Sequence, residues 1–315
     1  MSQPAPQQRL LLVHAHPDDE SIATGATMAR YLAEGRGVTL VTCTAGEMGE
    51  VLVPELEHLA ADRDDRLGEH RRGEIAHAMA ALAGPDGQQV DHRWLGGFGR
   101  FRDSGMQWDP TGTHAIPDPD ARADAFWYAD LTVAADELVT VIREVRPQVL
   151  VTYDQFGNYG HPDHIQAHRV AMYAAQLAAV PSYRHDLGEP WEISKIYWTA
   201  IAESWLRDGL RRLRAAGNTE AFGGMDPEGP LPMGTPDADI AAAIDGSAYA
   251  EQKMAALRAY PTQIRPTDEF FSMTDSLGTS VWGVEHFRLA KGTQGPVGPD
   301  GVETDLFAGL DEGLA

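Results

Sequence analysis

Two short segments carry residues of the kinds that bind metals and move protons. The first is His16-Pro17-Asp18-Asp19-Glu20, which follows an apolar run long enough for one strand. The second is His161-Pro162-Asp163-His164, which lies shortly after a second apolar run that ends at Asp154. Imidazoles and carboxylates held by stiff turns suit a catalytic zinc site, which needs three protein ligands and an open position for water. Ligands of an α/β protein usually sit at the carboxyl ends of its strands, so we expect these two segments to converge there.

Simpler explanations of the same residues stay open at this point. Asp18 or Asp19 would serve as a cap for the helix predicted from Ser21, and Asp163 would cap the helix that comes after it. His14 is expected to pack within its strand rather than to be a fourth ligand. If Asp18 were a ligand, Asp19 would be the free carboxylate, and the spacing does not decide between these two assignments.

The elements that must position these residues alternate between strand and helix. Strands are predicted near residues 9–15, 38–43, 90–95 and 148–154, and helices near 21–35, 54–83, 129–145 and 164–179. Near-continuous apolar strands alternating with helices are typical of a parallel sheet. We therefore predict an α/β fold with a Rossmann-like, mostly parallel sheet flanked by helices. The stretch from 96 to about 125 is too long for a simple connection and predicts a lid or binding loop.

The pattern becomes less regular after Pro181. Strands are predicted at 192–202 and 239–244, and helices at 203–216 and 247–260. We predict a Rossmann-like catalytic core over residues 1–185. Residues 186–315 are expected to form a smaller mixed α/β portion that packs on the core and helps to form the substrate pocket.

Composition narrows the class of protein. The formal net charge is -22, from 25 basic and 47 acidic residues, which argues against nucleic acid and anionic membranes as partners. The single cysteine, Cys43, lies in an apolar run, which excludes an internal disulfide and predicts a buried structural thiol. No run approaches the ~18 apolar residues of a membrane span, and the N-terminal residues show no signal pattern. We predict a cytoplasmic protein, and the sequence leaves its oligomeric state undetermined.

Together, the two His-Pro-Asp segments resemble those of the LmbE-like (PIG-L type) deacetylase superfamily. These proteins are metal-dependent N-acetylglucosaminide deacetylases with a Rossmann-like core. The resemblance also covers residues 42–51, 102–106 and 303–310, and it is thin over 107–128 and 205–245. It is greatest to the branch that acts in mycothiol synthesis, which implies hydrolysis of the acetamide of N-acetylglucosaminyl-inositol, a small sugar-inositol substrate. One departure is Tyr260, where many members carry histidine, so a substrate role near Tyr260 and Gln263 is not predicted.

The resemblance also implies roles for the residues of the two segments. His16, Asp19 and His164 would hold one Zn²⁺ per subunit, with Fe²⁺ as a possible alternative. This assignment agrees with the spacing of the ligands. Asp18 would be the general base that deprotonates the metal-bound water, because a bound metal lowers the pKa of that water toward ~7.

Amide hydrolysis also needs a donor for the oxyanion and an acid for the leaving amine. The hydroxyl of Tyr159 is the predicted oxyanion donor, and His161 is the predicted general acid. Asp163 is expected to raise the pKa of His161 through its opposite charge. Asp154 is expected to contact a metal-binding histidine on the side away from the metal and so to fix the position of its ring. The alternative for Tyr159 is an aromatic ring packed in a glycine-rich turn.

Four further residues match superfamily positions that contact the substrate: Glu50, Arg71, Asp103 and Met106. Carboxylates and an arginine suit a ligand rich in hydroxyl groups. An ion pair between Arg71 and Glu50 is an equal alternative, and Met106 has the alternative of simple packing.

Competing functions lie both within and outside the superfamily. A mycothiol S-conjugate amidase would share the metal-binding turns, and a deacetylase of another N-acetylglucosaminide would share the chemistry. A nucleotide-binding Rossmann module is excluded because the first turn lacks Gly-x-Gly-x-x-Gly and its carboxylates would repel a pyrophosphate. Asp18 and His161 argue against a non-catalytic sugar-binding protein, because such a protein needs no base or acid beside its metal.

Overall fold

The computed structural model describes residues 8–310, except positions 113, 269, 270, 272, 273, 275 and 276. Its strands have these bounds: β1 Arg9–His14, β2 Gly37–Thr42, β3 Asp91–Trp94, β4 Met106–Trp108, β5 Ala115–Pro117, β6 Val149–Thr152, β7 Lys195–Ala200, β8 Ala242–Asp245 and β9 Val284–Lys291. Within the described residues, seven of these strands form one sheet in the order β3-β2-β1-β6-β7-β9-β8. β4 and β5 form a separate antiparallel hairpin.

The centre of the sheet is parallel and buried. β1 pairs in parallel with β2 on one side and with β6 on the other, and Leu12 lies opposite both Leu40 and Val151. A parallel strand covered by helices on both faces must be apolar at successive positions, which explains the runs without alternation. β9 pairs antiparallel with β7 and β8, so the sheet is mixed only at that end.

Helices cover both faces of the sheet. Their bounds are α1 Asp19–Ala33, α2 Leu67–Ala81, α3 Leu131–Val145, α4 Pro162–Ala178, α5 Glu203–Ala215, the short α6 Ala221–Gly224 and α7 Ala250–Arg258. Short 3₁₀ turns lie at Pro54–Leu59, Phe126–Tyr128, His185–Leu187, Asp237–Asp239, Ser247–Tyr249 and Thr279–Trp282. Met28, Ile75 and Met254 place α1, α2 and α7 in one apolar core. Leu138 and Val170 place α3 and α4 in the other core, on the opposite face.

The strand order reverses between β1 and β6. The chain moves outward from β1 to β2 and β3, and then returns to place β6 on the other side of β1. In an open parallel sheet, a crevice forms at such a reversal, outside the carboxyl ends of the strands. Both His-Pro-Asp segments come after these two strand ends. The predicted α/β fold with a Rossmann-like, mostly parallel sheet is therefore confirmed.

Several elements differ from the sequence prediction. The predicted helix over 54–83 is a 3₁₀ turn followed, after a gap, by α2. The long stretch from 96 to 125 contains the β4–β5 hairpin, and β9 was not predicted at all. The proposed division at residues 185/186 stays a prediction, but the strands on either side of it, β6 and β7, pair directly.

Two further predictions concern the class of protein. Cys43 is buried and free, as expected of a structural thiol, and burial raises its pKa. Among the described residues, no helix combines the length and the apolar character that a membrane span requires.

Candidate active site

The first segment forms a tight turn between β1 and α1. Asp18 has a φ of 117°, which is a strained conformation for a residue other than glycine. Its backbone N–H donates to Glu20 Oε2 at 3.0 Å, which stabilises the turn. Asp18 precedes α1, but its side chain makes no capping hydrogen bond. The capping explanation of Asp18 is therefore wrong, and its carboxylate is directed elsewhere.

Side chains from both segments meet beside this turn. His16 Nδ1 lies 3.2 Å from Asp19 Oδ2, and His164 Nε2 lies 3.3 Å from Asp19 Oδ1. One ring nitrogen from each of His16, His161 and His164 lies within 4.8 Å of the others. The two histidine-bearing turns therefore converge at the strand reversal.

The buried histidines of this cluster fit a metal cofactor. Both ring nitrogens of His164 are buried, and neither has a hydrogen-bond partner in the part of the chain that the structure describes. Native proteins rarely leave buried polar atoms unpaired, so such atoms point to an absent partner. Imidazole nitrogens facing a carboxylate form a donor set for a divalent cation such as zinc or iron.

Asp18 forms a buried ion pair with Arg71. Arg71 Nη2 lies 2.8 Å from Asp18 Oδ2 and also donates to the carbonyl of Pro17, while Nη1 donates to the carbonyl of Gly46 at 3.0 Å. The alternative pair between Arg71 and Glu50 is therefore wrong. Burial raises the pKa of Asp18 to about 8, and the charge of Arg71 acts in the opposite direction. This is the environment of a carboxyl group that can take up and hold a proton near neutral pH.

A second pair of carboxylates lies behind His16. Its Nε2 is 3.3 Å from Asp163 Oδ2 and 3.6 Å from Asp103 Oδ1. Ser104 donates to Asp163 through both its backbone N–H, at 2.9 Å, and its hydroxyl. A carboxylate that accepts from the outer nitrogen of a metal-binding histidine fixes the orientation of the ring. Asp163 and Asp103 are placed to do this for His16.

His161 lies at the start of α4, and its environment differs from the prediction. The Asp163 backbone N–H donates to His161 Nδ1 at 3.1 Å, so the neutral ring carries its proton on Nε2. The Asp163 carboxylate faces His16 instead of the His161 ring. Burial and the nearby His16 and His164 lower the pKa of His161 to about 2. The expectation that Asp163 raises this pKa is wrong.

Tyr159 stands at the open side of the cluster. The residue is 40% exposed, and the centroid of its ring lies 5.2 Å from that of His164 and 6.1 Å from that of His161. The Tyr159 carbonyl accepts from the backbone N–H of Ala115 at 3.0 Å, so the β4–β5 hairpin is joined to the turn that carries Tyr159.

The predicted substrate residues are distributed unevenly. Asp103 lies in the cluster, and Arg71 reaches it through Asp18. Met106 begins β4, half-buried, on the hairpin beside Tyr159. The carboxylate of Glu50 points to solvent, 82% exposed, and lies 4.0 Å from Arg265. The structure therefore brings Arg71 and Asp103 together with the histidines and carboxylates of the cluster but leaves Glu50 outside.

Some residues of the site were missed from the sequence. Tyr153 donates its hydroxyl to Asp19 Oδ2 at 2.7 Å, and Tyr260 donates to Glu20 Oε1 at 2.7 Å. Asp154, which was expected to support a histidine, instead accepts the N–H groups of Phe156 and Asn158 and closes their turn. The position of Tyr153, directly after β6, was the available signal.

Known proteins resemble this chain in sequence. Residues 11–175 match the family model described as PIG-L: GlcNAc-PI de-N-acetylase. The chain is 66% identical over 304 residues to the 1D-myo-inositol 2-acetamido-2-deoxy-alpha-D-glucopyranoside deacetylase of Nocardioides sp., covering 96% of this chain and 99% of that protein. A relative of the same name from Kribbella flavida is 62% identical over 306 residues, covering 97% and 99%.

A solved structure shows the same fold. The N,N'-diacetylchitobiose deacetylase from Pyrococcus horikoshii aligns with a TM-score of 0.57 at 18% identity, covering 90% of this chain and 83% of that chain. The family model and the relatives match the two segments that build the cluster, and the relatives extend over the rest of the chain. This chain therefore belongs to the PIG-L (GlcNAc-PI de-N-acetylase) family.

Proposed function

We propose that this protein is a zinc-dependent N-deacetylase that acts in mycothiol biosynthesis. It hydrolyses the acetamide of 1D-myo-inositol 2-acetamido-2-deoxy-alpha-D-glucopyranoside and releases glucosaminyl-inositol and acetate. The observation that carries the proposal is the convergence of His16, Asp19 and His164 beside the carboxylate of Asp18. The substrate is inferred from the names of the relatives that match nearly the whole chain.

The proposed ligands of the zinc ion are His16, Asp19 and His164, with one ion per subunit. The two buried nitrogens of His164, which form no hydrogen bond with the described part of the chain, support this assignment. When bound, zinc supplies a Lewis acid and lowers the pKa of a water molecule to about 7. Fe²⁺ suits the same nitrogen and oxygen donors, so metal content has to be measured.

Asp18 is the proposed general base. Arg71 and the backbone N–H contact with Glu20 fix its position, so that the carboxylate needs no reorganisation when it accepts a proton from water. Its raised pKa also allows it to keep this proton at neutral pH. Asp18 is therefore suited to pass the same proton on to the leaving amine.

Tyr159 and His161 are the proposed donors to the oxyanion and the leaving group. His161 presents a proton on Nε2, because its Nδ1 accepts from the backbone of Asp163. Its lowered pKa keeps the ring neutral before the substrate binds, which favours hydrogen-bond donation over general acid catalysis. General acid catalysis by His161 is the alternative, and the pH dependence of the enzyme's kcat tests it.

The proposed substrate pocket lies between the cluster and the β4–β5 hairpin. Asp103 lies beside His16, and Met106 is the first residue of β4. Arg71 contacts Asp18. Glu50 would need a change of rotamer to take part. The C-terminal portion contributes through Tyr260, which donates a hydrogen bond to Glu20.

A cytoplasmic location and the absence of nucleic-acid partners remain predictions from composition.

Amine release on two substrates tests this proposal. The metal is removed with a chelator, zinc or iron is returned, and the free amine is measured with N-acetylglucosaminyl-inositol and with a mycothiol S-conjugate. We expect metal-dependent turnover that strongly favours the first substrate. Preference for the conjugate would identify an amidase instead, and turnover that survives complete metal removal would contradict the proposed chemistry.

A further inference from the structure

Tyr153 packs against the proposed metal ligands from the end of β6. This residue comes directly after β6 and is 1% exposed. Its ring stacks on His164 with a centroid distance of 4.2 Å and an interplanar angle of 13°. Its hydroxyl donates to Asp19 Oδ2 at 2.7 Å. One side chain thus contacts two of the three proposed metal ligands.

The two oxygens of Asp19 have different surroundings. Oδ2 accepts from the backbone N–H of His16 at 2.9 Å and from the Tyr153 hydroxyl at 2.7 Å. These two bonds occupy the lone pairs of Oδ2, although His16 Nδ1 also lies 3.2 Å from it. Oδ1 faces His164 Nε2 at 3.3 Å, a buried nitrogen that has no hydrogen-bond partner among the described residues. Oδ1 is therefore the oxygen left available to a cation shared with His164.

The hydroxyl of Tyr153 is itself held in place by its neighbours. It accepts from the backbone N–H of Ala15 at 2.8 Å, at the end of β1. On its other side lies His14 Nδ1, at 3.3 Å. The Thr24 hydroxyl donates to the Glu20 carbonyl at 2.8 Å and so can only accept from His14 Nε2, 3.3 Å away. The His14 proton then lies on Nε2, which leaves Nδ1 as an acceptor. The Tyr153 proton is directed to Asp19 Oδ2 rather than to His14 Nδ1, because the carboxylate oxygen is charged and nearer, at 2.7 Å against 3.3 Å.

We infer that Tyr153 is a positioning residue for the metal site. It turns Asp19 so that Oδ1 would be the oxygen available to the metal, and it fixes the plane of the His164 ring. The inference rests on the proposed metal-dependent function, and it adds a residue that holds the ligands without touching the substrate. Loss of such an outer partner typically lowers metal affinity by about 10–100-fold.

The test compares metal binding by wild type, Tyr153→Phe and Tyr197→Phe. Tyr197 is a matched control, because its buried hydroxyl also donates to a carboxylate, Glu303 Oε2 at 2.5 Å, but in a different part of the molecule. The metal-free proteins are titrated with zinc, and the visible absorption of the cobalt forms is recorded. We expect zinc affinity to fall about 10–100-fold in Y153F and to stay near wild type in Y197F. The cobalt bands should change only in Y153F.

A second control lies inside the same network. In Thr24→Val, His14 can move its proton to Nδ1 and donate to the Tyr153 oxygen, so the bond to Asp19 is kept. Zinc affinity near that of wild type is therefore expected. A loss in T24V as large as that in Y153F would overturn the assignment, because it would attribute the effect to general disturbance of the buried network.

The possible outcomes separate this inference from the proposed function. If wild type binds zinc and Y153F binds it equally well with the same cobalt spectrum, the inference is overturned and the proposed function stands. If wild type binds no metal, both fall. Should Y153F fail to fold, wild type with ¹³Cζ-labelled tyrosine gives the answer. The Tyr153 signal must then move on zinc addition, and an unmoved signal overturns the inference.

Discussion

Three features define the position of Asp18. Its backbone is strained at φ 117°, its carboxylate pairs with a buried arginine, and its neighbour Asp19 faces two histidines. Strain of this kind persists only where surrounding bonds hold it, and here Glu20 and Arg71 do so. We attribute the strain to the need to direct adjacent carboxylates to different tasks.

Removal of the Asp18 charge should separate catalysis from metal binding. Asp18→Asn keeps the size of the side chain but cannot accept a proton from water. We expect kcat to fall by about 10²–10⁴-fold, the usual contribution of a general base, with metal content unchanged. Metal analysis beside steady-state kinetics checks this. A variant that has lost its metal would instead place Asp18 among the ligands.

His164 should be indispensable for metal binding. His164→Ala removes two buried nitrogens that form no hydrogen bond among the described residues. We expect zinc affinity to fall by more than the roughly 100-fold that loss of an outer partner costs. His77→Ala, on the exposed face of α2, is the control and should bind as wild type does. Full zinc retention by H164A would break the proposed ligand set.

Arg71 should set the acidic limb of the pH profile. Its charge lowers the pKa of Asp18 against the effect of burial, so Arg71→Gln should raise that pKa. A higher pKa leaves less ionised Asp18 at a given pH, so activity should be regained only at higher pH. The dependence of kcat/KM on pH measures the shift. Arg72→Gln, one residue along on the exposed side of α2, should leave the limb in place.

The sequence reveals ligands more readily than the residues that support them. His16, Asp19 and His164 stand in short motifs whose spacing indicates metal binding. The partner of Asp19, Tyr153, lies 134 residues away in the chain. No local pattern joins the two, because their contact depends on the pairing of β1 with β6. The same holds for Tyr260 and Glu20, which are 240 residues apart.

At the scale of elements, the site is built from the turns at the carboxyl ends of two neighbouring strands. β1 and β6 end side by side, and each leads through a turn into a helix, α1 or α4. The alternation of apolar strands and helices predicted these elements well. β9 was missed because its partners, β7 and β8, are placed beside it only by the fold. The β4–β5 hairpin is too short for its periodicity to be recognised.

The attachment of the hairpin to the turn at Tyr159 can be tested at a glycine. Gly160 has a φ of +100°, and a Cβ there would lie 2.8 Å from the carbonyl oxygen of Ala115 in β5. Gly99 has a φ of +72° with open space around it. Gly160→Ala and Gly99→Ala therefore share backbone strain, but only the first pushes the hairpin.

We expect G160A to lose about 1–3 kcal/mol more unfolding free energy than G99A, as overpacking usually costs. KM should rise in G160A alone, because the β4–β5 hairpin would move away from Tyr159, whose ring lies 6.0 Å from that of Trp108 in β4. Urea unfolding and steady-state kinetics measure both effects. Equal KM values in the two variants would show that the hairpin does not shape the pocket.

At the scale of the molecule, the C-terminal residues are joined to the sheet through buried charges. Lys195 in β7 donates to Glu303 Oε1 at 2.5 Å and to the Ala308 carbonyl at 2.6 Å. Glu303 also accepts from Tyr197 and from the Gly295 N–H. Lys195 and Glu303 are both buried, so neither charge can be solvated if the other is removed.

Breaking this pair should destabilise the whole protein. Lys195→Met leaves the Glu303 carboxylate buried without its cation, which typically costs about 3–5 kcal/mol. Replacement of both residues, as K195M/E303Q, removes the uncompensated charge and should recover part of that loss. The free energy of unfolding in urea measures both variants. A double variant less stable than K195M would contradict this account.

The direct pairing of β6 with β7 has a consequence for how the protein can be divided. Residues 1–185 contain every proposed ligand, which makes them attractive as a minimal enzyme. A fragment that ended there would turn β6, a strand buried along its length, into the open edge of the sheet. Its unpaired N–H and C=O groups would template association with other chains. The smallest unit that folds as a monomer must therefore include β7 to β9 and extend as far as Glu303, the buried partner of Lys195.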